Sequence, residues 1–428
     1  MKESLAINFL LFSNTIVRFL WYNDSGGSMN IIFHIDVNNA FLSWTALEQL
    51  NNGSKYDIRN SYAVVGGDEE SRHGIVLAKS MPAKKMGIKT GESLYEARKK
   101  CRALKTYPPN YSWYQQNSKA LFQLLSTYSP DIEVASIDEC YLDYGKVKSL
   151  YGDEIAFAYR LKEEIKQTLG FTVNIGIGNT KLCAKMASDF SKPDKVHTLY
   201  QSEVASKMWP LPIGDLFGVG KRSVPKLQAL NIKTIGDLAH ADVLELSKYF
   251  KNQSQKMIDS ANGIDHSSVV TNVLEPKGIS NSTTLSRDLT SLSEIEKILQ
   301  AISENVGISL RKQKKYTQCI VVQLKDKYFK SYSHQVKLKN ATNLTSEIYR
   351  TSVLLLHEMW NREPVRLVGI RLDNLTDNVL HQVSLFENLS HREKENELES
   401  IVDEIKEKFG VSSIKKASLI DNKIKKKY

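Results

Sequence analysis

Three acidic residues carry the clearest chemistry in this 428-residue chain. Asp36 ends a short apolar run, and Asp138 and Glu139 stand side by side in Ser136-Ile137-Asp138-Glu139-Cys140. Magnesium takes oxygen ligands, usually one or two carboxylates per ion, with water and phosphate completing the shell. Two such ions about 3.5–4 Å apart can clamp the attacking and leaving oxygens of a phosphoryl transfer. Three acids from two neighbouring strands suffice to hold them. Successive strand residues point to opposite faces, so Asp138 and Glu139 can both reach a metal only if the backbone turns or bulges there. Taken singly, each acid reads first as a turn residue or one half of a surface ion pair.

The elements that must position these acids are legible in outline. Residues 31–37 read as a buried strand, and 39–50 carry apolar residues at helical spacing. Short strands around Gly66-Gly67 and two short helices follow, the second at Ser93–Cys101. Residues 112–128 read as a helix, and 131–144 as two strands joined by a tight turn. A helix at 153–169, a strand at 171–177 and a helix at 180–190 complete the block. This order predicts an α+β fold: an antiparallel or mixed sheet with helices on one face. From Pro210–Pro212 the pattern turns to short helices over 213–263. Residues 279–375 return to mixed strand and helix, and 391–409 form a charged helical segment.

Composition bounds the function. Hydrophobic residues at 41% and charged residues at 25% exclude a mostly disordered, collagen-like or disulfide-scaffold chain. The length leaves room for roughly three domains. A net charge of +10 points to a polyanionic partner, nucleic acid or an anionic membrane. Cys101, Cys140, Cys183 and Cys319 form no C-x-x-C pair, which favours reduced thiols and a cytoplasmic setting. The apolar stretch 5–21 is broken by Asn8, Ser13, Asn14, Thr15 and Arg18. Its runs fall short of the roughly 20 residues that span a bilayer. The expectation is a domain starting at Met29, with residues 1–28 a poorly structured extension from an upstream start codon. A weak amphipathic membrane anchor is the rival.

Three ordered motifs carry a resemblance. Ile35-Asp36-Val37-Asn38-Asn39-Ala40-Phe41, Ser136–Asp143 and Asn179–Asp189 resemble the motifs of Y-family, translesion DNA polymerases, in the bacterial DNA polymerase IV and UmuC-like group. The similarity extends from about Met29 to about Asp373. It implies a right-hand polymerase with a ferredoxin-like palm (29–55 and 108–205), small fingers (56–107), a helix-hairpin-helix thumb (206–267), a mixed α/β little finger (268–376) and a tail (377–428). By position, Asp36, Asp138 and Glu139 would hold two Mg²⁺ ions, with Val37 offering its backbone carbonyl. Phe41 would be the steric gate against a ribose 2′-hydroxyl. Lys84, Lys181 and Lys185 would meet the dNTP phosphates. Lys84 and Met81 stand where the family usually has Arg and Tyr. Lys lacks the bidentate fork of Arg, which implies a looser or differently shaped grip. Gly66–Glu70 is similar to the G-G-D-E-F turn of diguanylate cyclases but lacks its Phe, and is read as chance.

The remaining basic and apolar motifs fit a DNA partner. Gly218-Val219-Gly220-Lys221 resembles a helix-hairpin-helix turn, whose backbone N–H groups grip phosphate without reading sequence. Nine basic residues and one acid lie between Arg311 and Lys339. Arg311, Lys312, Lys314, Lys337 and Lys339 are read as DNA contacts, with salt-dependent, sequence-tolerant binding. Gln382, Leu385 and Phe386 in His381–Phe386 are similar to the bacterial peptide that binds the sliding clamp (its beta subunit). The whole reads as a monomeric, template-directed polymerase of low fidelity without proofreading. The alternatives are an inactive DNA- and clamp-binding accessory protein and a palm-fold nucleotide cyclase.

Overall fold

The computed structural model describes residues 30–70, 72, 74–271, 275–377, 389–410 and 412–419. The expected extension at 1–28 and the peptide residues Gln382, Leu385 and Phe386 lie outside them. The chain divides into two compact units. One takes the residues up to Ala63, then Ala78–Pro82 and Pro109–Val273; the other takes Val64–Leu77, Ala83–Pro108 and the residues from Leu274 onward.

In chain order the elements begin with β1 (Ile32–Val37), α1 (Ala40–Asn51), β2 (Ala63–Gly66), β3 (Val76–Lys79), α2 (Met81–Lys85), α3 (Leu94–Lys100) and β4 (Lys105–Tyr107). Then come α4 (Tyr111–Ser126), β5 (Ile132–Val134), β6 (Glu139–Asp143), α5 (Lys148–Tyr151), α6 (Glu154–Leu169), β7 (Val173–Gly178), α7 (Lys181–Asp189) and β8 (Val196–Leu199). The helices α8 (Val224–Ala229), α9 (Ile235–Ala239), α10 (Val243–Phe250) and α11 (Ser254–Ala261) follow. The last block is β9 (Gly278–Leu289), α12 (Leu292–Lys312), β10 (Tyr316–Asp326), β11 (Ser331–Thr342), α13 (Thr345–Met359), β12 (Val365–Thr376) and α14 (Leu389–Phe409).

The first unit is built on a five-stranded sheet of order β5-β6-β1-β7-β8. β1 is antiparallel to both neighbours, and β7 and β8 are parallel, so the sheet is mixed as expected. All six residues of β1 are buried, though only the side bearing Phe33, Ile35 and Val37 is wholly apolar. Phe33, Ile35 and Val37 enter one core with Tyr114 and Leu121 of α4 and Phe157 and Leu161 of α6. His34 and Asp36 face the other way.

The expectation of helices on one face needs correction there, because α7 covers the His34 face. The cause is Gly176: a Cβ on it would sit 2.0 Å from the Ala184 carbonyl oxygen and 2.4 Å from the Ser188 nitrogen. Only glycine lets this helix lie so close to the strand. Thr180 caps α7 by accepting from the Cys183 N–H. The outer side of α7 (Leu182, Met186) then shares a core with Leu227, Ile235, Leu238 and Leu246 of the following helices.

β3-β2-β4 form a small sheet, most of whose residues fall in the second unit. A four-stranded antiparallel sheet, β11-β10-β12-β9, packs one face on α12 and α13. α14 docks on those helices through acids. Arg311 of α12 forms a two-bond fork with Asp403, at 2.7 and 3.1 Å, and also pairs with Glu399. Glu399 in turn accepts the Thr345 N–H at 2.9 Å. Among the described residues, no helix is long and apolar enough to cross a membrane.

Candidate active site and nucleic-acid surfaces

The register of β1 against β6 sets Asp36 directly opposite Glu139. Such partners lie about 5 Å apart at Cα and share a face. Asp138 precedes β6, in the bend that follows β5, and its carbonyl accepts the Val37 N–H at 2.9 Å. The bend answers the alternation problem, since Asp138 is not a regular strand residue beside Glu139. Val37 is turned into the core, leaving its backbone as the part that faces Asp138.

Each acid has a partner. The Lys185 ammonium lies 2.5 Å from Glu139 Oε2, and Lys192 pairs with Asp36 and, at 2.9 Å, with Asp189. Asp138 Oδ1 accepts from the Ser136 hydroxyl at 2.6 Å. His34 Nε2, 3.3 Å from Glu139, and then Lys185 hold the Glu139 carboxyl down at about 2. Burial, helped by the charges of Asp36 and Glu139, pushes the Asp138 carboxyl above its ordinary value despite the Ser136 hydrogen bond. Among the described residues, no group of three His, Cys, Asp or Glu side chains stands in ligating geometry. The donor chemistry nevertheless fits a divalent cation. Three hard oxygen donors come from one strand pair, and one of them is destabilised by the other two, a repulsion that a cation between them relieves.

The other residues expected at this site fare differently. Phe41, on α1, is half-buried, its ring 5.0 Å from that of Tyr114. Lys181 does not join Lys185 at the acids; Glu133 holds it at 2.6 and 2.7 Å. Lys84 is exposed on α2, in the other unit. Lys192 is the residue that sequence reasoning missed. It lies in the loop after α7, where no periodicity ties it to Asp36. Asn174, across from Asp36 on β7, fastens that loop. Its amide donates to the carbonyls of Ser188 (2.9 Å) and Ser191 (2.6 Å) and accepts from Asn38 (3.0 Å) and the Lys195 N–H (3.2 Å). A buried amide thus has all four of its hydrogen-bonding positions filled.

Comparison with known proteins decides the family. The impB/mucB/samB family model matches residues 35–189, its C-terminal domain 276–385, and the IMS family HHH motif 202–232. The DNA polymerase IV of Clostridium acetobutylicum is 48% identical, over 92% of this chain and 99% of its own length. The chain belongs to the Y family of DNA polymerases. DNA polymerase IV of Acetivibrio thermocellus is 34% identical over 92% of this chain and 98% of its own. The solved Y-family polymerase chimera Dbh-Dpo4(243-245)-Dbh matches the fold with a TM-score of 0.71, at 24% identity, over 81% of this chain and 100% of its own.

In Y-family terms, Gly218 lies within the segment matched as the HHH motif. Its φ of +92° is one that glycine adopts freely and other residues rarely do. The Gly220 carbonyl starts the helical turn that feeds α8, and Lys221 is exposed. The face of the four-stranded sheet away from α12 and α13 is small and polar. Its rows run Lys337-Cys319-Asp373 and Gln335-Val321-Arg371-Ser280. Lys337, Lys339, Lys312 and Lys314 are exposed. Arg311 must be withdrawn as a DNA contact, since Glu399 and Asp403 occupy its guanidinium. Arg371 joins the polar face instead. Its strand lies beyond the basic stretch, so counting charges along the chain missed it.

Proposed function

We propose that this chain, by family a DNA-directed DNA polymerase of the translesion type, performs its phosphoryl transfer at Asp36, Asp138 and Glu139. One observation carries the reading: the strand register that sets Asp36 against Glu139, with Asp138 held at the adjoining bend. Family membership implies a divalent metal requirement, and two Mg²⁺ ions suit these oxygens. When bound, they would polarise the phosphates and the primer 3′-oxygen. The chain's own contribution is to fix the carboxylates on a rigid sheet and to place Lys185 and Lys192 beside them. These two ammonium groups are positioned to exchange a carboxylate partner for a triphosphate oxygen. Phe41 would bar a 2′-hydroxyl by its bulk.

The domain assignment given from the sequence remains our reading. So do the exposed lysines as phosphate contacts, Gln382–Phe386 as the clamp-binding peptide, the monomeric state and the cytoplasmic location. An inactive accessory role has no support. The acids expected of an active enzyme are present, and the relatives are DNA polymerases. Primer extension past an abasic site tests the translesion reading. Product beyond the lesion is expected, and arrest before it with normal extension on undamaged template counts against it. Deleting Gln382–Phe386 should spare extension but remove stimulation by the clamp; equal stimulation would rule the peptide out.

A further inference from the structure

The hairpin between β10 and β11 ends in Lys327-Tyr328-Phe329-Lys330, and both rings stand in solvent. Tyr328 is 72% exposed and Phe329 64%. Neither is loose. Asp326, buried beneath them, accepts the N–H groups of Tyr328 (2.8 Å) and Lys330 (2.9 Å). Its own N–H reaches the Lys330 carbonyl at 3.0 Å, and the Phe329 N–H returns to the Asp326 carbonyl at 3.1 Å. These four bonds hold Phe329 at a φ of +65°, a true outlier for a bulky side chain. Strain that the surroundings over-determine is a pointer to function. Here the strained turn keeps an apolar ring out in water, which packing alone would not favour.

Cations frame both rings. Lys327 lies 4.8 Å from the Tyr328 ring centre, and the Arg366 guanidinium 4.6 Å from that of Phe329. Lys330 follows on the same turn. Among the nearby acids, Asp326 is turned inward to its own loop and Asp288 is held by Arg72 at 2.5 Å, which leaves Glu363. Register fixes where the tip lies: Asp326 pairs with Val365, and Val365 with Leu289, next to Asp288. The tip therefore shares its end of the sheet with the point where residues 64–77 of the same unit are gripped through Arg72.

We propose that Tyr328 and Phe329 are a stacking platform for unpaired bases of the template strand. The partner follows from the chemistry. Aromatic faces stack on bases, bases are available only where unpaired, and the flanking cations suit a phosphate backbone. The inference rests on the polymerase reading and names a further part of its substrate.

The test is binding by the full chain, followed by fluorescence anisotropy, to one primer-template duplex made blunt or with an unpaired 5′ template extension of about ten nucleotides. The wild-type chain should prefer the extended form. The double variant Tyr328→Leu/Phe329→Leu should lose roughly tenfold of that preference, with blunt-duplex affinity unchanged. 2-Aminopurine in the extension should be quenched by the wild-type chain and not by the variant. Phe329→Gly, free of the backbone strain, should raise Tm while weakening binding of the extension, so lost binding is not lost folding. Unchanged preference in the double variant overturns the proposal. Equal loss on blunt and extended DNA also overturns it and makes the tip a duplex contact. Lost clamp stimulation with DNA binding intact overturns it in favour of a protein partner.

Discussion

Lys192 shows how much of this site depends on single side chains that no motif announces. Its ammonium joins Asp36 to Asp189, and Lys185 does the same for Glu139. Each lysine neutralises an acid that, in the proposed function, must later face a cation. Lys192→Ala is expected to raise the KM for dNTP about tenfold, the order of one charge-assisted hydrogen bond, while Tm moves little. Steady-state kinetics over a dNTP series checks this, and an unchanged KM removes Lys192 from the triphosphate's path. Phe41→Ala should admit ribonucleotides, read as incorporation of rNTP against dNTP; an unchanged sugar preference refutes the gate. The meeting of the three acids was legible because motif order carried them. Lys192 and Asn174 were not, because their meeting with Asp36 comes from strand register and loop path.

At the scale of elements, the loop between α7 and β8 is anchored from two sides. Asn174 holds it from the sheet, and Lys162 of α6 reaches Asp194 at 2.7 Å. Burial pushes the Asp194 carboxyl up, but Lys162 and Lys166 outweigh it and leave it below the usual aspartate value of 3.8. A depressed folded-state carboxyl contributes stability that is present above about pH 4 and lost as pH falls through the lower folded value. Asp194→Asn should therefore lower Tm at pH 7 and flatten its fall below pH 4; parallel Tm–pH curves would deny the anchor. α14 makes the same point in the second unit. Arg311→Ala leaves Glu399 and Asp403 without their cation and should cost about 3 kcal/mol, seen in denaturant unfolding. The helix was legible from its charge pattern. Its docking was not, because linear charge counting cannot tell which face of α12 turns toward a later helix.

Across the whole molecule, most element positions followed from periodicity and punctuation: the strand ending at Asp36, the hairpin bearing Asp138, and the helix-rich stretch after Pro212. What escaped was the side of the sheet an element takes. α7 lies opposite α4 and α6 because Gly176 removes one Cβ, and a glycine in a strand pattern does not say which helix it admits. The central claim is that three carboxylates, brought together by one strand pair and its bend, perform Mg²⁺-dependent nucleotide addition. The most direct test is single-nucleotide primer extension with Mg²⁺ by the wild-type chain, Asp138→Asn and Glu139→Gln, with primer-template affinity measured alongside. Both variants should bind DNA as the wild type does and extend it about a hundred- to a thousandfold more slowly, the order set by lost transition-state charge stabilisation. Extension at the wild-type rate by either variant would contradict the account.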